Sequence, residues 1–239
     1  MKQYKSRSAL KNLAKQKLDG HFSGAVCTLL LADIITRAAG NIVISLVPGE
    51  GIMQYILSFL FTMILSVFLG ILQTGISYYF LNLTCGKRAV QGDIFYGFHV
   101  STEISIKISL VHVLPETLCL LPYQILLLLF LNTQDMKYIF LSFAAMVIGY
   151  IILTPIKLAL SQTYFLLLDF PDSSFSEILK TGIRIMKGHK WRLFLLDVSF
   201  LPLYLLGYLS FGIGLLWIHP YIRETYALFF LDLMNPETV

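Results

Sequence analysis

The sequence predicts an all-α polytopic membrane protein: six transmembrane helices folded as three helical hairpins, with amphipathic interfacial helices on the cytoplasmic face. Three observations carry that prediction. Of 239 residues, 56% are hydrophobic and only 13% charged, with a mean hydropathy of +0.74. An ordinary soluble domain is about one quarter charged, and a water-soluble globule of this length could not hide so much apolar surface. Six apolar runs reach the ~20 residues a helix needs to cross the hydrocarbon core. Basic residues, finally, gather in alternate connections only. The chain reads as one integral membrane domain over residues 1–239.

In chain order, an amphipathic helix is expected at about 6–19, with Leu10, Leu13, Ala14 and Leu18 on one side and Lys11, Lys15 and Gln16 on the other. Such a polar stretch ahead of the first apolar run is the wrong order for a cleavable signal peptide. Crossing segments are expected at about 22–47, 52–83, 104–131, 137–168, 191–209 and 213–234. The second and fourth exceed one crossing and are expected to tilt or to continue as interfacial helix.

The first, third and fifth connections are tight: Val47-Pro48-Gly49-Glu50-Gly51, Asn132-Thr133-Gln134-Asp135-Met136 and Ser210-Phe211-Gly212. They hold no Lys or Arg, and only Lys137 stands nearby. The opposite side carries thirteen basic residues: Lys2, Lys5, Arg7, Lys11, Lys15, Lys17, Lys87, Arg88, Lys180, Arg184, Lys187, Lys190 and Arg192. The positive-inside rule then puts both termini in the cytoplasm. The net charge of +4 is thus a topology signal and not a sign of nucleic-acid binding.

A second amphipathic helix places Phe175, Ile178, Leu179, Gly182, Ile183 and Met186 opposite Glu177, Lys180, Arg184 and Lys187. Ser174 and Glu177 supply a capping box at its start. A weaker version spans Ala89 to Val100. Helices of this kind are expected in the interface, apolar side toward lipid, with Lys11, Lys15, Lys180, Arg184, Lys187 and Lys190 at anionic headgroups.

These segments suggest a threefold repeat of interfacial helix, crossing helix, tight turn and returning helix. Returning helices share similar words: Gln73-Thr74 before Tyr79-Phe80, Gln162-Thr163-Tyr164, and Glu224-Thr225-Tyr226. The lead-ins Asp19-Gly20-His21-Phe22 and Lys187-Gly188-His189-Lys190-Trp191 also correspond.

Ionisable groups inside lipid cost at least about 2.5 kcal/mol each and ask for a partner or a purpose. The candidates for a midplane polar cluster are Asp33, Arg37 and Asn41 on one face of the first span, His112 and Glu116, Asp197, and His219, Arg223 and Glu224. Two readings stand side by side. One is interhelical glue, with Asp33 paired to Arg37 and with Glu116 and Asp197 neutralised by Arg223 or Lys157. The other is a cavity binding a solute, ion or lipid headgroup. Five prolines, Pro115, Pro122, Pro155, Pro202 and Pro220, fall within apolar spans and are expected to kink or break them.

No nucleophile elbow or phosphate loop occurs, and His112–Glu116 lacks the second histidine of a zinc motif. The isolated Cys27, Cys85 and Cys119 form no ligand spacing. No catalytic residue, metal or cofactor is expected.

The run Met186-Lys187-Gly188-His189-Lys190-Trp191-Arg192-Leu193-Phe194, then Leu196-Asp197-Val198-Ser199-Phe200, then Gly212 to Trp217, Pro220-Tyr221, Thr225, Ala227, Phe229-Phe230 and Asp232-Leu233 adds a further clue. With Tyr164, Asp169 and Pro171 upstream, it resembles the bacterial membrane-protein family known as domain of unknown function 975. The resemblance implies the fold and residence in a bacterial plasma membrane, and it assigns no catalytic residues. The expected function is non-enzymatic: binding or moving a small solute, lipid or peptide through a polar midplane site, with membrane lipids as partners. The alternative is an accessory subunit docked to another membrane protein, its buried charges purely structural.

Overall fold

The computed structural model describes residues 4–47, 51–99 and 102–235. Lys2, Val100 and Pro48-Gly49-Glu50 of the first tight connection lie outside the described residues. Everything described is helix or short connection: α1 Arg7–Leu18, α2 Phe22–Leu46, α3 Ile52–Thr84, a 3-10 segment Gln91–Phe98, α4 Thr102–Thr133, α5 Met136–Leu160, α6 Thr163–Asp169, α7 Phe175–Met186, α8 Lys190–Val198, α9 Leu201–Leu209 and α10 Leu215–Met234.

Among the described residues, five segments are long and apolar enough to cross a membrane: α2, α3, α4, the α5–α6 pair over Met136–Asp169 and the α8–α9 pair over Lys190–Leu209. Large apolar side chains stand outward along them, among them Ile34, Leu46, Phe140, Ile151 and Leu209, each more than 60% exposed. This is the surface of a membrane-embedded protein. The last helix differs. Within its 20 residues α10 carries Arg223, Glu224 and Asp232 and buries Tyr221, Ile222, Phe229 and Phe230. It packs against α1, α2, α3 and α9, so its surroundings are protein.

Long helices approach closely where side chains vanish. A Cβ on Gly70 of α3 would overlap the Ser109 side chain of α4, and one on Gly75 would overlap the backbone carbonyl of Ile94 in the 3-10 segment. Gly149 of α5 lies against the Cys119 carbonyl of α4 in the same way.

Two apolar runs are interrupted. The fourth breaks at Ser161-Gln162, between α5 and α6, and the fifth at Ser199-Phe200, between α8 and α9. Pro202 stands in the first turn of α9, where it fits without loss of a helical bond. The other four prolines do not break their helices. Pro115 and Pro122 lie inside α4, Pro155 inside α5 and Pro220 inside α10. One missing N–H is tolerated where neighbouring helices hold the chain in line. At the break after α5, hydroxyls do the capping: Ser161 donates to the Leu158 carbonyl at 2.9 Å and Thr163 to the Leu160 carbonyl at 2.8 Å.

The amphipathic helices are seated on the protein. Leu10, Ala14 and Leu18 of α1 are buried, with α10 as the main neighbour, and Ile178, Gly182 and Met186 of α7 are buried beside α4, α5 and α6. An apolar stripe serves equally against lipid or against another helix, and here the packed helices supply the receiving surface. Lys11 turns inward as a result. Its Nζ donates to the Ser199 carbonyl at 2.9 Å and lies 4.2 Å from the Phe200 ring centroid, while Arg7 reaches the Leu195 carbonyl at 3.4 Å. The Ser199 hydroxyl closes the Leu196 carbonyl at 2.6 Å. These groups meet carbonyls at the C-terminal end of α8, where the Leu195 carbonyl also accepts the Ser199 N–H at 3.2 Å, and the cations suit the negative end of its dipole. Burial, with Arg7 and Lys15 nearby, holds the Lys11 ammonium below its ordinary pKa. Lys15, Lys180, Arg184 and Lys187 remain exposed, and Lys190 is half-buried. At the start of α7, the Ser174 N–H and hydroxyl hold the Glu177 carboxylate below its usual range, completing the capping box.

Two of the lead-ins share a turn geometry. Gly20 and Gly188 adopt φ values of 74° and 90°. The N–H of the histidine after each donates back across the turn, His21 to Leu18 at 2.8 Å and His189 to Met186 at 3.0 Å. With Asp19 and Lys187 extended before them, both are type II turns, which require a residue with positive φ. The weaker amphipathic segment expected at Ala89 to Val100 contains instead the short 3-10 turn Gln91–Phe98, and a Cβ on its Gly97 would lie only 2.5 Å from the Ile71 carbonyl oxygen of α3.

Candidate functional site

The interior opens into a cavity of about 1070 Å³ bounded by α2, α3, α4, α5, α6, α8, α9 and α10. Seven of the nine predicted polar residues line it: Asp33, Arg37, His112, Glu116, Asp197, His219 and Arg223. Asn41 and Glu224 do not. Asn41 is exposed on α2, about 12 Å along the axis from Asp33. Glu224 follows Arg223 directly, and adjacent residues on a helix cannot share a face. Its side chain is fully buried, and Oε1 takes a hydrogen bond from the Thr84 hydroxyl of α3 at 2.8 Å.

The lining charges fall into two classes. Arg37 Nε lies 2.6 Å from Asp33 within α2, and Lys157 Nζ lies 2.9 Å from Glu116 between α5 and α4. These four neutralise one another and are about half exposed or more. Asp197 and Arg223 have no such partner: among the described residues no cation lies within 4.0 Å of Asp197, and no carboxylate within 4.0 Å of Arg223. Asp197 Oδ1 accepts from the Tyr226 hydroxyl at 2.7 Å. The Arg223 guanidinium donates to the Gln73 amide oxygen once that amide is oriented to satisfy both groups.

His112 faces Thr163. Because the Thr163 hydroxyl gives its proton to the Leu160 carbonyl, it accepts from the histidine, so Nε2 carries hydrogen in this 2.9 Å contact. The ring stacks on Tyr164 with centroids 5.1 Å apart. His219 is exposed at the rim, 6.0 Å from the Tyr204 ring.

Sequence reasoning missed Gln73, Gln162, Tyr164, Tyr204 and Tyr226, all of which line the cavity. A signal for four of them was present. Gln73, Gln162, Tyr164 and Tyr226 stand in the recurring Gln-Thr and Glu-Thr-Tyr words, which thus bring polar groups to the cavity from three returning segments. Gln162 is 1% exposed and its Oε1 has no hydrogen-bond partner. The interruption between α5 and α6 borders the same space through Ser161-Gln162, and the helices on either side of the other interruption line it through Asp197 of α8 and Tyr204 of α9. Non-helical backbone at such depth is stable where it lines a polar cavity.

The family model described as "Protein of unknown function (DUF975)" matches residues 1–237, almost the whole chain. The chain belongs to this family. No curated protein and no solved structure matches it. DUF975 membership therefore assigns no role to any lining residue. Among the described residues of this DUF975 chain, no three His, Cys, Asp or Glu side chains converge to hold a metal ion.

Proposed function

We propose that this DUF975 chain is a non-enzymatic protein of the bacterial plasma membrane that binds, and passes across or along the bilayer, a small solute or lipid held in the central cavity. In this reading α10 is a sixth crossing helix. Its 20 residues span about 30 Å, enclosed by helices that shield its charges from lipid. The three hairpins are α2–α3, α4–α5/α6 and α8/α9–α10, with both termini cytoplasmic beside the basic segments. The carrying observation is the convergence on one space of seven polar residues from four helices together with the helix interruption at Ser161-Gln162. A cavity with apolar walls and a few placed polar groups is the usual form of a ligand site.

The accessory-subunit reading draws support from the self-paired charges Asp33–Arg37 and Glu116–Lys157. Leu216→Trp separates the two. Leu216 is a half-buried lining residue, and the larger ring narrows the space without removing a charge. The expected result is a folded variant, equal in melting temperature to the parent within a few degrees, that loses most of the small molecules extracted with the parent after purification in mild detergent. An unchanged extract would count against the cavity and for the accessory reading.

A further inference from the structure

We propose that the cavity takes a zwitterion carried on an apolar body, with its acid group on Arg223 and its protonated amine near Asp197. The inference rests on the cavity being a binding site and names what it binds. Four of the six formal charges on the wall are already neutralised as Asp33–Arg37 and Glu116–Lys157. The remaining two are of opposite sign and are not paired with each other.

Their placement is shared. Tyr226, whose hydroxyl holds Asp197, lies three residues after Arg223 on α10, a rise of about 4.5 Å. Tyr204 of α9 lines the same cavity. Two unpaired charges out of bulk water are costly, and a ligand that brings both counter-charges removes both penalties. A plain anion would satisfy Arg223 and meet repulsion at Asp197, and a plain cation would meet the reverse, so the wall selects against each.

Gln162 supplies the second, independent observation. Its buried, unpartnered Oε1 belongs to a residue lining the same cavity and lacks a donor, which an ammonium or hydroxyl provides. Leu29, Leu69, Leu72 and Ile76 continue the lining as apolar surface, and the volume of about 1070 Å³ exceeds what a headgroup alone would fill. The chemistry fits an ethanolamine phospholipid from the bilayer, and equally a soluble amphipathic amino acid.

The full chain in maltoside micelles, titrated with dihexanoyl-phosphatidylethanolamine, dihexanoyl-phosphatidylglycerol, free phosphoethanolamine and leucine and read by native mass spectrometry, tests this. The ethanolamine lipid is expected to bind at least tenfold tighter than the glycerol lipid. Asp197→Asn should erase that preference by weakening the first and strengthening the second. Arg223→Gln should weaken both lipids tenfold or more while Arg223→Lys retains most binding; if Arg223→Gln does not fold, Asp197→Asn decides alone. Leucine or phosphoethanolamine binding as tightly as the lipid would support the zwitterion and place its source in solution. Equal binding of the two lipids, unmoved by Asp197→Asn, would overturn the zwitterion and leave the cavity reading intact. Binding of no probe at all would overturn both.

Discussion

Asp232→Ala is expected to lower the unfolding free energy by about 3–5 kcal/mol, the loss seen when one partner of a buried ion pair is removed. Asp232 is fully buried near the end of α10. Its Oδ1 accepts the backbone N–H of Lys5 at 3.1 Å, and its Oδ2 pairs with Arg192 of α8. Arg192 also donates to the Lys5 carbonyl at 2.7 Å, and its guanidinium lies 5.1 Å and 5.0 Å from the ring centroids of Tyr4 and Phe229. One carboxylate thus ties together the segment before α1, the start of α8 and the end of α10. Removing it strands a guanidinium whose Nη1 already lacks a hydrogen-bond partner. Asp232→Asn keeps an acceptor for Lys5 and should lose less. The double variant Arg192→Met with Asp232→Leu should recover most of the loss, because it leaves no buried charge unpaired. Denaturant titration in micelles, followed by tryptophan fluorescence, measures all three; a neutral Asp232→Ala would show that the pair holds nothing together.

The second large effect is steric. Gly75→Ala should cost about 3 kcal/mol, at the upper end of the range for overpacking. The added carbon overlaps the carbonyl and Cα of Ile94, a fully buried residue. A side chain in that position could rotate away, whereas backbone cannot. The 3-10 segment Gln91–Phe98 must then leave α3. Gly40→Ala in α2 is the control: nothing lies within 4 Å of its Cβ position, so the change should be neutral or stabilise by up to about 1 kcal/mol. Equal melting temperatures for the two variants would contradict the close approach.

The apolar crossings were legible because hydrocarbon imposes length and composition directly on the chain. Most of the polar cluster was legible for the same reason, since a charge in an apolar run needs an internal destination. The orientation of individual groups was less so. Arg223 and Glu224 look alike as letters in one span, and only the 100° step between them sends one to the cavity and the other to Thr84. The helix breaks were obscured by proline. Four prolines lie inside continuous helices, while Ser161-Gln162, with no proline beside it, ends α5. Tyr164, Tyr204 and Tyr226 escaped notice because tyrosine reads as apolar filling until its polar neighbours are seen, a carboxylate at the Tyr226 hydroxyl and histidine rings beside Tyr164 and Tyr204. The seat of α1 was hidden by an ambiguity of pattern: Leu10, Ala14 and Leu18 would serve a lipid surface as well as they serve α10.

A density map of the full chain, embedded in discs of its native lipid, bears most directly on all of this. Discrete non-protein density between Arg223 and Asp197, extending along Leu72 and Ile76, is the predicted result. Side chains collapsed into that space, with the guanidinium and the carboxylate in direct contact, would contradict it.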